Sequence, residues 1–175
     1  MHELKKRMWL GLLLLGLCGT SFGQKLDKAF RSFYTGFQRN VAAQRLDALQ
    51  QVIYFPLQTM YWIDGMNSFS DEEKANGLIQ ADEFDQYADT IFNDQVRRLI
   101  PETDVSRIQQ IDVEASGDYY KRLGRLIDKG TTLLELYCEY GGNSSVGDHY
   151  FGFVFGRVQG EYRVMAYYTS LRIKK

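Results

Sequence analysis

From Thr132 onward the chain alternates, and that pattern limits it to an antiparallel sheet over its last third. Thr132, Leu134, Leu136, Cys138 and Tyr140 interleave with Leu133, Glu135, Tyr137 and Glu139, the period of a strand with two unlike faces. A glycine- and serine-rich loop is expected over Gly141–Gly147. A closing hairpin is expected about Gln159-Gly160, because Gly tolerates the positive φ of a two-residue turn. Pairing Val158 with Glu161 fixes the register. His149, Phe151, Phe153, Phe155 and Arg157 then share a face with Tyr162, Val164, Ala166, Tyr168 and Ser170. Tyr150, Gly152, Val154 and Gly156 share the other with Glu161, Arg163, Met165 and Tyr167. The first face is the more aromatic, so it is expected to cover the helices.

The first half of the chain carries helical periodicity instead. Leu26, Phe30, Phe33 and Phe37 mark a helix over 26–38. Asn40 is expected to cap a second over 40–52, which leads to Ile53-Tyr54-Phe55-Pro56. The proline marks an edge or a strand start. Thr59 to Ile63 reads as a strand ending at an Asp64-Gly65 turn. Phe84, Tyr87, Ala88, Ile91, Phe92, Val96 and Leu99 predict a third helix over 82–99 that Pro101 stops.

Residues 1–23 read as a secretory signal: basic Lys5, Lys6 and Arg7, an apolar run of Met8 to Leu17, then small residues up to Gly23. The run is about 10 residues, short of the ~20 that a spanning helix needs. Residues 24–175 then form one domain, exported to the periplasm or beyond. Lipoprotein anchoring at Cys18 is the minor alternative, because Leu17 stands where such signals carry Gly or Ala. The leader carries +2 of a whole-chain charge of −1, leaving −3 on the domain. That balance argues against nucleic acid and anionic membrane surfaces. Cys138 is the domain's lone cysteine and reads as a buried, inert core residue. His149 is its lone histidine, which rules out His-His metal sites. Glu72–Glu83 matches the length of a calcium loop, but Lys74 stands where an oxygen ligand belongs. It reads as a turn at Asn76-Gly77 leading into a helix. No metal or cofactor is expected.

Several segments together resemble the NTF2-like (cystatin-like) superfamily. They are the Phe30–Phe37 helix, Asp47-Ala48-Leu49 to Phe55-Pro56-Leu57, Asp82-Glu83-Phe84 through Tyr87 to Ile91-Phe92, and Phe151-Gly152-Phe153 to Tyr162. The resemblance implies an α+β fold: an NTF2-like cone of N-terminal helices packed against a curved antiparallel sheet. It also implies a pocket between sheet and helix, lined here by Phe33, Trp62, Phe92, Phe153, Tyr162 and Tyr168. The superfamily holds isomerases, dehydratases and non-enzymatic binding modules, so fold alone does not choose a function.

Three functions compete. The favoured one is an exported, non-catalytic module binding a small apolar ligand or a partner protein, with a homodimer through the sheet as a further option. The second is an isomerase or dehydratase using Asp64 or His149 as its base. The third is a surface-acting inhibitor or immunity-like protein, working through an apolar patch around Tyr150, Val154, Met165 and Tyr167. Asp64 and His149 are not expected to converge in one cavity, so binding without turnover is the expected outcome.

Overall fold

The computed structural model describes residues 26–61, 70–142, 145–170 and 173. The segment read as a secretory signal, Trp62 and Asp64 lie outside the described residues. Among the described residues no helix is long and apolar enough to cross a membrane.

Helix α1 runs Lys28–Ala42, capped by the Asp27 carboxylate, which accepts from the Phe30 amide. It passes through Asn40, so that residue does not start a second helix. The break comes at Gln44, whose φ of 52° turns the chain into α2, Leu46–Gln51. Strand β1 is Ile53–Gln58, with Pro56 inside it after a cis peptide bond. The strand therefore precedes the expected Thr59–Ile63 segment, of which residues 59–61 are not in a strand. Helix α3, Asp71–Asn76, opens on a reciprocal Ser70/Glu73 capping box, and β2, Leu78–Ile79, follows. The first half of the calcium-like segment is thus helical, with Glu73 committed to the cap.

The expected 82–99 helix is two, α4 (Phe84–Ile91) and α5 (Asp94–Glu102). Asn93 divides them: its side chain accepts from the Gln95 and Val96 amides at 3.0 and 3.2 Å. A side chain that caps a new helix competes with continuing the old one. Pro101 sits inside the last turn of α5 rather than beyond its end. After a 3-10 turn at Val105–Arg107 come β3 (Gln109–Ile111) and α6 (Asp118–Gly124). The chain closes with β4 (Leu133–Gly142), β5 (Ser145–Val158) and β6 (Glu161–Thr169). The expected Gly141–Gly147 loop is therefore mostly strand.

The six strands form one sheet in the order β2-β1-β6-β5-β4-β3. It is not wholly antiparallel as expected: β1 runs parallel to β6. The closing hairpin has the expected register, Val158 opposite Glu161 and Arg157 opposite Tyr162. Gln159 and Gly160 both adopt positive φ, 53° and 85°. The Asp128 carboxylate accepts from both turn amides at 2.8 Å, holding the turn from outside.

One irregularity changes the face assignment. Phe155 lies opposite Val164, but Val154 lies opposite Ala166, so β6 carries one extra residue at Met165. A bulge of this kind flips every later side chain to the other face. Tyr167 therefore joins Phe151, Phe153, Phe155 and Val164 in the main core against α1, α4 and α5. Ala166 and Tyr168, expected there, move to the outer face with Val154 and Met165. That outer face is not open. Tyr119 and Leu123 of α6, together with Met60, cover it in a second, smaller core. Both faces of β6 are buried over 164–168.

Candidate functional site

The main core is filled by aromatic rings rather than hollow. Phe37 packs against Phe153 at 5.4 Å and against Phe92 at 6.3 Å between ring centres. Phe33 meets Phe155 at 5.9 Å and Tyr162 at 6.0 Å. Edge-to-face and tilted contacts at these separations pack a core tightly. Phe33, Phe92, Phe153 and Tyr162, four of the expected pocket residues, thus meet in one cluster. Tyr168 is on the other side of the sheet.

A cleft of about 690 Å³ opens where this core reaches the surface, a size suited to a small ligand. Its walls are the start of α1 (Leu26, Asp27), strand β3 with Asp112, the 130–132 connection, and Leu134, Arg157 and Tyr162. The sequence brings these groups together by two devices. Asp27 must cap α1 because the first-turn amides have no helical partner. Arg157 and Tyr162 are directly paired across the hairpin, and both side chains fall on the inner face.

The Asp27 carboxylate is fully engaged: Oδ1 accepts from the Phe30 amide at 2.6 Å and Oδ2 from the Tyr162 hydroxyl at 2.8 Å. The Phe30 amide above all holds it below the ordinary aspartate pKa; burial opposes this, and Tyr162 and Arg157 add smaller lowering effects. Burial, and then the Asp27 bond, push the Tyr162 phenol up to about 12. An ionised, doubly bonded carboxylate is a weak general base. Asp112 accepts from the amides of Glu114 and Ala115 through Oδ1 alone. Arg157 differs. Its Nε donates to the Gly160 carbonyl at 3.1 Å, and no ion pair among the described residues involves it. Leu26 and Leu134 give the cleft an apolar wall beside that cation, whereas the Ile111 side chain packs on the outer core.

His149 is elsewhere. It pairs with Tyr140 on the β4–β5 ladder, stacks on that ring at 5.7 Å and is exposed. It lies inside β5, four residues after the strand begins. Eight residues of β5 separate it from Arg157, about 26 Å of strand at ~3.3 Å each. Cys138 is 2 % exposed in the main core beside Leu134 and Leu136, as expected. Burial pushes its thiol pKa up, which makes it a poor nucleophile.

A second constellation went unforeseen in the sequence. Glu135 on the outer face accepts from the hydroxyls of Tyr120 and Tyr168 at 2.5 and 2.8 Å through one oxygen, Oε1. Tyr61 stacks on Tyr168 at 4.8 Å. Burial first, and then Glu135, push the Tyr120 and Tyr168 phenols far above their ordinary range. Gly152 makes the reach possible. Tyr168 lies across it, so close that a Cβ there would sit 2.2 Å from the ring.

The fold and cleft together define an α+β domain with a polar-mouthed surface site over a packed aromatic core. No family model, no curated protein and no solved structure matches the chain.

Proposed function

We propose that the chain is an exported, non-catalytic binding module whose ligand site is the cleft at the start of α1. The observation that carries this is the juxtaposition of Arg157, without an ion-pair partner among the described residues, and the apolar side chains of Leu26 and Leu134. Asp27 is satisfied through both oxygens by an amide and a phenol, and neither rim carboxylate forms an ion pair with Arg157. A ligand with an apolar body and one carboxylate or similar acceptor suits this arrangement, because guanidinium matches such groups in a planar fork. The wholly apolar ligand expected from the sequence has less room, since the core beneath is filled by Phe30, Phe33, Phe37 and Phe155.

Export rests on the basic, apolar, small-residue order of residues 5–23. Kinship with the NTF2-like superfamily rests on the helices-first order and on α1 packed against the inner face of the sheet; the parallel β1–β6 pair is a departure from the sheet expected of it. The alternative of an isomerase is not favoured by the placement of His149, about 26 Å along β5 from Arg157. Ligand-observed NMR with medium-chain carboxylates and their alcohol counterparts tests the proposal. Carboxylates should perturb Leu26, Arg157 and Tyr162, and Arg157→Gln should weaken them at least tenfold. Equal binding of acid and alcohol, unaffected by Arg157→Gln, would refute it.

A further inference from the structure

The 24 residues from Leu133 to Gly156 contain no lysine or arginine, although the chain has 21. They do contain Glu135, Glu139 and Asp148. This stretch is the β4–β5 hairpin, so the chain builds one hairpin without a single permanent cation. Such a run sets up a local negative field on an otherwise mixed surface.

Strand alternation puts Glu135, Tyr137 and Glu139 on the outer face of β4, and Glu139 is directly opposite Tyr150 of β5. The outer core covered by α6 includes Leu133 and Val154, but Tyr137 beyond them is 40 % exposed. Only one other large apolar side chain among the described residues, Leu126, is as open. The Tyr137 ring rests against Tyr150 at 5.5 Å, and its hydroxyl donates to Glu139 Oε1 at 3.1 Å. Glu135 uses Oε1 for its two tyrosines and lines a groove of about 440 Å³ with Arg107, Gln109 and Tyr137. Neither glutamate belongs to an ion pair among the described residues.

We propose that this outer face of the hairpin docks a basic segment of a partner protein. An exposed tyrosine face flanked by carboxylates attracts ammonium and guanidinium groups both through the ring quadrupole and through charge. Glu135 and Glu139 are four residues apart on a strand, about 13 Å. One small cation cannot meet both, whereas a peptide with basic side chains at a similar separation can. Arg107, at the groove side of Glu135, repels a cation there and so favours the Tyr137–Glu139 end for the tighter contact. This inference does not depend on the α1 cleft.

The test uses an acetylated pentapeptide with lysine at its first and fifth positions, titrated into the exported protein and followed by amide NMR. A control peptide carries glutamate at those positions. The lysine peptide should shift residues 135–139 and 150, and its affinity should fall as salt rises. Glu139→Gln and Tyr137→Ala should each weaken it at least fivefold, with melting temperatures confirming that both variants fold. The control should not bind. Overturning results are an absence of binding, shifts spread over acidic residues elsewhere, or an affinity indifferent to both substitutions. Tetramethylammonium producing the same shifts at the same concentration would also overturn it, in favour of a site for a small cation.

Discussion

Replacing Gly152 by alanine isolates the device that lets β6 reach β4. For the backbone alone, alanine in a strand interior gains roughly 0.5–1 kcal/mol over glycine. Here the added Cβ would lie 2.2 Å from Tyr168 Cζ, 2.5 Å from its hydroxyl oxygen and 2.6 Å from Cε1. Ordinary carbon contacts are about 3.5–4.0 Å, so the ring must retreat by more than an ångström. It is poorly placed to do so. Tyr61 stacks on it at 4.8 Å, and its hydroxyl is tied to Glu135 at 2.8 Å. Overpacking of this kind costs about 1–3 kcal/mol. If the ring swings out instead, the bond to a carboxylate is lost, worth about 1.5–3 kcal/mol. Against the backbone gain, a net loss of about 0.5–2.5 kcal/mol is expected. At roughly 2–4 °C per kcal/mol for a domain of this size, the melting temperature should drop by about 1–10 °C. Thermal and urea denaturation followed by circular dichroism measure it. The same substitution in a Tyr168→Ala background should be neutral or stabilising, since the obstacle is gone. An unchanged or raised melting temperature for Gly152→Ala alone would refute the account of how Tyr168 reaches Glu135.

Other expectations follow from the core and the cleft. Phe153→Ala should cost about 3–5 kcal/mol in urea denaturation, because its ring is fully buried between Phe37, Phe92 and Tyr167. Asp27→Ala should cost about 1 kcal/mol as a lost helix cap. Because the folded carboxyl is held below its ordinary value, its contribution is present above the unfolded pKa and is lost as pH falls through the folded one. The variant should therefore be less acid-sensitive in a melt series below about pH 4. Burial raises the phenol pKa values of Tyr34, Tyr119, Tyr120, Tyr167 and Tyr168. Their stabilising effect is complete below the unfolded value near pH 10 and is lost as pH rises toward the folded values. Tyrosinate absorbance should then appear together with unfolding above about pH 10, rather than ahead of it in separate steps. Asp27→Asn should lower the Tyr162 phenol from about 12, read from its ring carbon in an NMR titration.

The sequence set the alternation of β4 and the Gln159-Gly160 turn, because both are local. A period of two needs only neighbouring side chains, and positive φ at Gly160 needs only the missing Cβ. The inward side of Phe151, Phe153 and Phe155 followed from the register that the turn imposes. The α+β character and the aromatic face of α1 were legible for the same reason. The division at Asn93 was legible in principle, since asparagine is a strong cap, but continuous helical spacing from Phe84 to Leu99 masked it.

What the tertiary structure decided lies where the sequence pattern is degenerate. Val164, Met165, Ala166, Tyr167 and Tyr168 are all apolar or aromatic, so no periodicity marks which of them faces inward. The bulge at Met165 resolves it, and α6 makes either side tolerable by covering the outer face. The cleft and the outer-face cluster likewise depend on contacts between distant segments: Tyr162 meets Asp27 from 135 residues away, and Tyr168 meets Glu135 from 33. Local propensity carries no information about such pairings. They are fixed by which polar groups come within reach of one another once the sheet has closed over the helices.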